Sequence, residues 1–223
     1  MIVSNMNPSH PPTGSVSDKT RQRILQAAGK IFAQGGYRAM TLREVTKEAG
    51  VNLASVNYHF GSKSNLMREL IHERFEPINK ERLERLKQLI QQHSPAPIPL
   101  KAIFDALFRP LFAGLGPSDV SDTTLVPIIG RMLTEPADFM IHLHKEFFAE
   151  LSKRFMGEIQ RTCPELSQEQ IQFRFFLSIS TMIGTIAGEV RLEIISGSKL
   201  NSAILDRILE ELTNYVVAGF QQK

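Results

Sequence analysis

Residues 41–63 read TLREVTKEAGVNLASVNYHFGSK, and this stretch decides the fold. Thr41 followed three residues later by Glu44 is a capping-box pattern, in which each side chain serves the other's backbone at a helix start. Leu42, Val45 and Ala49 then share one apolar face, and Gly50 ends the helix. Val51-Asn52 leads into another short helix, Leu53 to about His59, with Asn52 as its N-cap and Val56 and Phe60 turned inward. Two short helices joined by a tight turn containing Gly form a helix-turn-helix. Ser62 caps a further helix that opens at Lys63.

Working outward, Ile24, Leu25, Ala28, Ile31 and Phe32 recur at helical spacing between Asp18 and Gln34, with Ser17 as N-cap and Gly35-Gly36 as the stop. Downstream, periodicity runs from Lys63 to Ile90, with a kink or break expected near Glu76 because of Pro77. His93 to Pro99 is a Pro-rich linker. Helical patterns resume over Leu100–Ala113, Asp122–Leu133, Ala137–Arg161, Gln168–Ile195 and Ser202–Gln221. No segment alternates with period two, so the expected fold is all-α: a three-helix reader with a helix-turn-helix, then a larger helical domain. The divisions are residues 1–16 as a disordered tail, 17–63 as the DNA-binding domain and 64–223 as the effector-binding and dimerisation domain.

The 223 residues are 42% hydrophobic and 22% charged, a profile that supports a packed core and excludes intrinsic disorder. A single cysteine, Cys163, excludes internal disulfides and Cys-based zinc frameworks. The first residues carry Pro8, Pro11 and Pro12 without the apolar run of a signal peptide. The uncharged stretch from Phe175 to Gly188 is shorter than the ~20 residues of a membrane span. The reading is therefore a soluble, cytoplasmic protein with no membrane partner. Charge is uneven: up to Lys63 there are 8 Lys and Arg against 3 Asp and Glu, leaving 18 against 20 in the remainder. That bias suits a first quarter that meets a polyanion. No phosphate loop, dinucleotide fingerprint or nucleophile elbow occurs, so neither an enzyme nor a cofactor is expected.

The segment from Thr41 to Lys63 resembles the DNA-binding domain of TetR-family transcriptional regulators, through Thr41, Gly50, Val51, Ser55, Tyr58, His59, Phe60 and Lys63. The resemblance covers roughly residues 18–70; Asn57 departs from it, where many members carry an aromatic residue. The wording VNLASVNYHFGSK is similar to the branch holding fatty-acid-responsive, PsrA-type regulators. Independently of the resemblance, a helix in the major groove reads bases through its N-terminal residues, here Asn52, Leu53, Ala54, Ser55 and Asn57. Thr41, Arg43, Tyr58, His59 and Lys63 are candidates for the phosphates, which set register rather than sequence choice. The expected partner is double-stranded DNA, as a palindromic operator.

In the remainder, Gln168–Ile195 is apolar on nearly every side and Ser202–Gln221 carries a wide apolar stripe. Pairing both with their copies would form a homodimer. The middle helices supply Phe104, Leu107, Phe108, Leu111, Phe112, Ile128, Met132, Phe139, Met140, Leu143, Phe147 and Phe173 as candidate walls of an effector pocket. Among them Phe104, Phe108, Met132 and Phe147, with the polar Arg131, His142 and Arg174, are the candidate ligand contacts. A small, largely apolar or amphipathic effector with one acidic end fits that set. His142 and His144, two apart on a helix, point about 200° from each other and do not chelate one metal. The leading expectation is a ligand-responsive repressor. An activator or architectural DNA binder without ligand, and a helical lipid carrier or enzyme, stand as alternatives.

Overall fold

The computed structural model describes residues 16–115, 124–132, 135, 137–197 and 201–222. Every described element is helical. The N-terminal unit is α1 (Val16–Ala39), α2 (Leu42–Ala49) and α3 (Leu53–Phe60), followed by the long α4 (Lys63–His93). Then come α5 (Leu100–Ala113), α6 (Leu125–Met132), α7 (Ala137–Leu143), a π-helical turn (His144–Phe148) and α8 (Ala149–Thr162). The chain ends with α9 (Gln168–Ala187), α10 (Glu189–Ser196) and α11 (Ser202–Gln221). The expected tail lies outside the described residues except Val16, which already opens α1. Ser17 therefore sits inside that helix rather than capping it.

In the reader unit the stripe on α1 is buried as its spacing requires. Ile24, Leu25, Ala28 and Phe32 have no exposed surface, and Val45, Val56 and Phe60 close over them from α2 and α3. The Gly35-Gly36 stop is a corner rather than an end: Gly36 leaves helical backbone at φ 75°, ψ −178°, while helical hydrogen bonding resumes to Ala39.

α4 belongs to both units. Its first half packs Leu66, Met67, Leu70 and Ile71 against the reader; its second half packs against α5. The break expected at Pro77 does not occur, and one helix runs from Lys63 to His93. Pro77 is exposed, so water can reach the carbonyl that its missing N–H leaves unserved. α5 is the central post of the second unit, lying against α4, α8 and α11, and its Ile103, Phe104, Leu107 and Phe108 are fully buried. The helix expected over Ala137–Arg161 is instead interrupted by the π-helical turn, and the one expected over Gln168–Ile195 ends at Gly188 before α10. Of the helix expected over Asp122–Leu133, the described part is Leu125–Met132.

Candidate nucleic-acid interface

The helix-turn-helix forms from local bonds alone. The Thr41 hydroxyl accepts from the Glu44 N–H at 3.2 Å, and the Glu44 carboxylate accepts from the Thr41 N–H at 2.9 Å. The Thr41 hydroxyl proton also goes to Glu44, at 2.8 Å, so the group assigned to phosphate is committed within the cap. Hydrogen bonds from the Thr41 hydroxyl, then from its backbone N–H, hold the Glu44 carboxyl below its ordinary range. Gly50 closes α2 at φ 61°, a left-handed position that a side chain resists. Arg23 on α1 fastens this turn, donating to the carbonyls of Ala49 at 2.5 Å and Gly50 at 3.2 Å.

Asn52 caps α3: its Oδ1 accepts from the Ser55 N–H at 2.8 Å and from the Ser55 hydroxyl at 2.9 Å. That acceptor is occupied, so what Asn52 can offer a base edge is reduced to what its Nδ2 can donate. Asn52, Leu53, Ala54 and Asn57 are exposed, Ser55 is half-buried, and all lie on or just before α3. Leu53 is 44% exposed and Tyr58 82%, although both are large apolar groups. Val56 and Phe60, on the opposite face, are buried. The open side of α3 thus carries Leu53, Asn57 and Tyr58, and the packed side Val56 and Phe60.

The proposed phosphate contacts divide. Arg43 and Tyr58 are exposed and His59 is half-buried, its ring edge-on to Tyr58 at 5.1 Å. Lys63 opens α4 and rests its Nζ 4.4 Å from the centre of the Tyr37 ring, a cation–π contact with the corner of α1. Burial there pushes the Lys63 ammonium below its ordinary pKa, against the opposing pull of Glu135 and Glu44.

The second unit grips the reader through contacts that periodicity does not reveal. Arg131 on α6 donates through Nε to the Ala33 carbonyl at 3.1 Å and through Nη2 to that of Gln34. Glu135 accepts from the Tyr37 N–H at 3.0 Å. Arg68 on α4 pairs with Glu146 of the π-helical turn at 3.2 Å and with Glu69 at 3.3 Å. Glu69 in turn takes Arg21 of α1 at 2.8 Å, whose guanidinium lies over the Phe60 ring. A charged chain thus runs from the π-helical turn to the base of the reading helix.

The seven candidate ligand contacts are not gathered into one cavity. Phe104 and Phe108 touch each other in the core, with ring centres 5.5 Å apart. Arg131 is spent on the end of α1, as described. Arg174 donates to the carbonyls of Phe220 and Gln222 at the end of α11, both at 3.0 Å. His142 is exposed and bonds its own helix at the Asp138 carbonyl, and Phe147 packs edge-on to His72. Met132 is half-buried. Of the wider wall set, the side chains of Phe139 and Met140 lie outside the described residues, and Phe173 is exposed. A cavity of about 410 Å³ lies instead between the start of α5 and the ends of α8 and α11, beside Leu100, Cys163, Val217 and Phe220.

A reading helix bared on one side, braced by α1 and α2 and wired to a larger helical unit, is the layout of a helix-turn-helix domain joined to a second helical domain. Residues 24–70 match the model of bacterial regulatory proteins of the tetR family, and residues 105–219 match the tetracyclin repressor-like C-terminal domain. The chain belongs to the TetR family. It is similar to the Bacillus subtilis (strain 168) protein named Probable HTH-type transcriptional regulator YttP, at 34% identity over 40% of this chain and 42% of that one. It is also similar to the transcriptional repressor AcnR of Corynebacterium glutamicum, at 35% identity over 27% of this chain and 32% of that one. The chain thus spans less than half the length of these relatives. Among solved structures it is similar to the Bacillus subtilis regulator FadR in complex with stearoyl-CoA. That likeness has a TM-score of 0.58 at 16% identity, over 89% of this chain and 98% of that one, and shows the shared fold. Among the described residues no helix is long and apolar enough to cross a membrane.

Proposed function

We propose that the protein is a ligand-responsive repressor that binds a palindromic operator as a homodimer and is released by a small, largely apolar effector. Residues 17–63 would read DNA, and residues 64–223 would bind effector and partner copy, in the cytoplasm. The bared face of α3, with Leu53 and Tyr58 exposed over buried Val56 and Phe60, carries the DNA part of this reading. Tyr58→Ala and Lys63→Ala are expected to weaken operator and non-specific DNA alike. Lys63→Ala should also lower the slope of log affinity against log salt by about one. Gel shifts over a salt series check this, and an unchanged slope removes Lys63 from the phosphates.

The dimer rests on what the folded chain leaves open. Phe173, Phe176 and Leu177 on α9 are each 59–66% exposed, and Tyr215 on α11 is 71% exposed. On α9 the spacing of three and four sets the trio on one side, and Gly184, further along, has open space around it. A two-fold contact would bury these faces against their copies. Phe176→Glu is expected to give a folded monomer by sedimentation; a dimer unchanged at micromolar concentration would move the interface elsewhere. Leu209 is a poorer probe, because at 2% exposure it belongs to the chain's own core.

For the effector, the FadR neighbour's stearoyl-CoA supports an acyl chain, as does the resemblance to the PsrA-type branch. Effector release requires unequal binding to the DNA-competent and DNA-incompetent states. The links from Arg131, Glu135 and Glu146 to α1 and α4 offer the path by which that difference reaches the reader.

A further inference from the structure

Arg82 is the one buried charged side chain among the described residues, only 4% exposed in the middle of the second unit. Its position follows from spacing. It lies seven residues after Phe75 and four before Leu86, on the buried face of α4. Its Nε donates to the Leu107 carbonyl of α5 at 2.7 Å. The other end of the guanidinium has no comparable use. Nη1 reaches the Asn79 Oδ1 at 3.1 Å, and Nη2 has only the Met182 sulfur of α9 at 4.0 Å. Among the described residues no carboxylate faces it. Burial unrelieved by any acidic neighbour lowers its pKa to about 10, still far above neutrality, so the cation persists.

A buried cation without a counter-charge costs stability that an apolar residue of similar size would not. We propose that Arg82 is the anchor for the carboxylate of an amphipathic acyl effector, its Nη1–Nη2 edge taking the two carboxylate oxygens while the chain lies among the neighbouring apolar side chains. This rests on the effector reading above and adds the residue that holds the acidic end. The Nη1–Nη2 edge of a guanidinium matches the two oxygens of a carboxylate in width and direction, a match that the single oxygen of an alcohol cannot make. The same site has an outlet toward the reader. Asn79, bonded to Arg82, donates through Nδ2 to the Phe147 carbonyl at 3.0 Å, inside the π-helical turn whose Glu146 holds Arg68. π-Helical turns recur at functional sites, where one extra residue per turn re-aims neighbouring groups.

The experiment compares dodecanoic acid with 1-dodecanol on the full-length protein, reading the dissociation constant by calorimetry and DNA release by gel shift. The acid is expected to bind about 10-fold or more tighter than the alcohol. Arg82→Met should erase that preference, the acid falling to the affinity of the alcohol, whereas a merely structural role would weaken both and keep their ratio. Arg82→Lys, which keeps the charge but not the fork, should fall between. If both variants fail to fold, the wild-type comparison decides: a tighter acid supports the anchor and equal affinities overturn it. Acid preference that survives in Arg82→Met overturns the anchor alone, with the effector reading intact. Failure of both compounds to bind overturns the anchor together with the acyl-effector reading.

Discussion

Phe104→Ala is expected to lower the unfolding free energy by about 3–5 kcal/mol, among the largest effects of any single substitution in the chain. Phe104 has no exposed surface, and its ring centre lies 5.5 Å from that of Phe108 and 5.2 Å from that of Phe220. It therefore joins α5 to α11 as packing, with neighbours on every side. The same residue was expected to line an effector cavity. A ring bordering a cavity already lacks partners on one side, so truncating it forfeits fewer contacts. Urea unfolding of Phe104→Ala, Phe220→Ala and the double variant separates the two roles. A core pair should show coupling of about 0.5–3 kcal/mol. A loss below about 1.5 kcal/mol for Phe104→Ala would return the residue to the cavity wall.

The difference between these readings marks how far the sequence carries. The reader was legible because its signals are local. Thr41 and Glu44 lie three residues apart, as do Asn52 and Ser55, and each pair satisfies orphan backbone groups without help from the rest of the fold. α5 was equally legible, because Pro99 and Gly114 bracket an apolar run. Interruptions in the longer helices were not. Gly188 ends α9 inside the apolar stretch Gln168–Ile195, and nothing in the sequence from His144 to Phe148 announces a π-helical turn. Those outcomes depend on what packs against the helix, which is non-local. The surroundings of the candidate ligand contacts were hidden for a related reason. Arg131 and Arg174 are polar candidates on apolar helices, and each finds carbonyls at the end of a distant helix, 98 and 46 residues away. Arg82 was passed over among the many charges of α4, although the spacing from Phe75 to Leu86 places it inward. A charge at an apolar position of a periodic stripe was the signal available.

Gly36→Ala is expected to cost about 2–3 kcal/mol and to impair communication between the units. Gly36 holds φ 75° and ψ −178°, a region that residues with a side chain enter only under strain. A Cβ at this position would also run into the Glu135 carboxylate. That carboxylate accepts the Tyr37 N–H, so pushing it away leaves a half-buried donor unserved next to the Lys63–Tyr37 contact. The strain and the lost bond should together lower the melting temperature by about 4–12 °C, given roughly 2–4 °C per kcal/mol in a chain of this size. The two parts separate in a cycle with Glu135→Ala. That variant removes the acceptor without straining the backbone, and its cost should be about 1 kcal/mol. In the double variant the collision is gone while the backbone strain persists, so the loss should be less than the sum of the singles. Strict additivity would mean that Glu135 does not hold the corner. If the corner transmits the effector's signal, Glu135→Ala should bind operator normally while needing more effector for release. An unchanged release curve would leave that task to the Glu146–Arg68 link, because a contact that both states keep equally shifts no equilibrium.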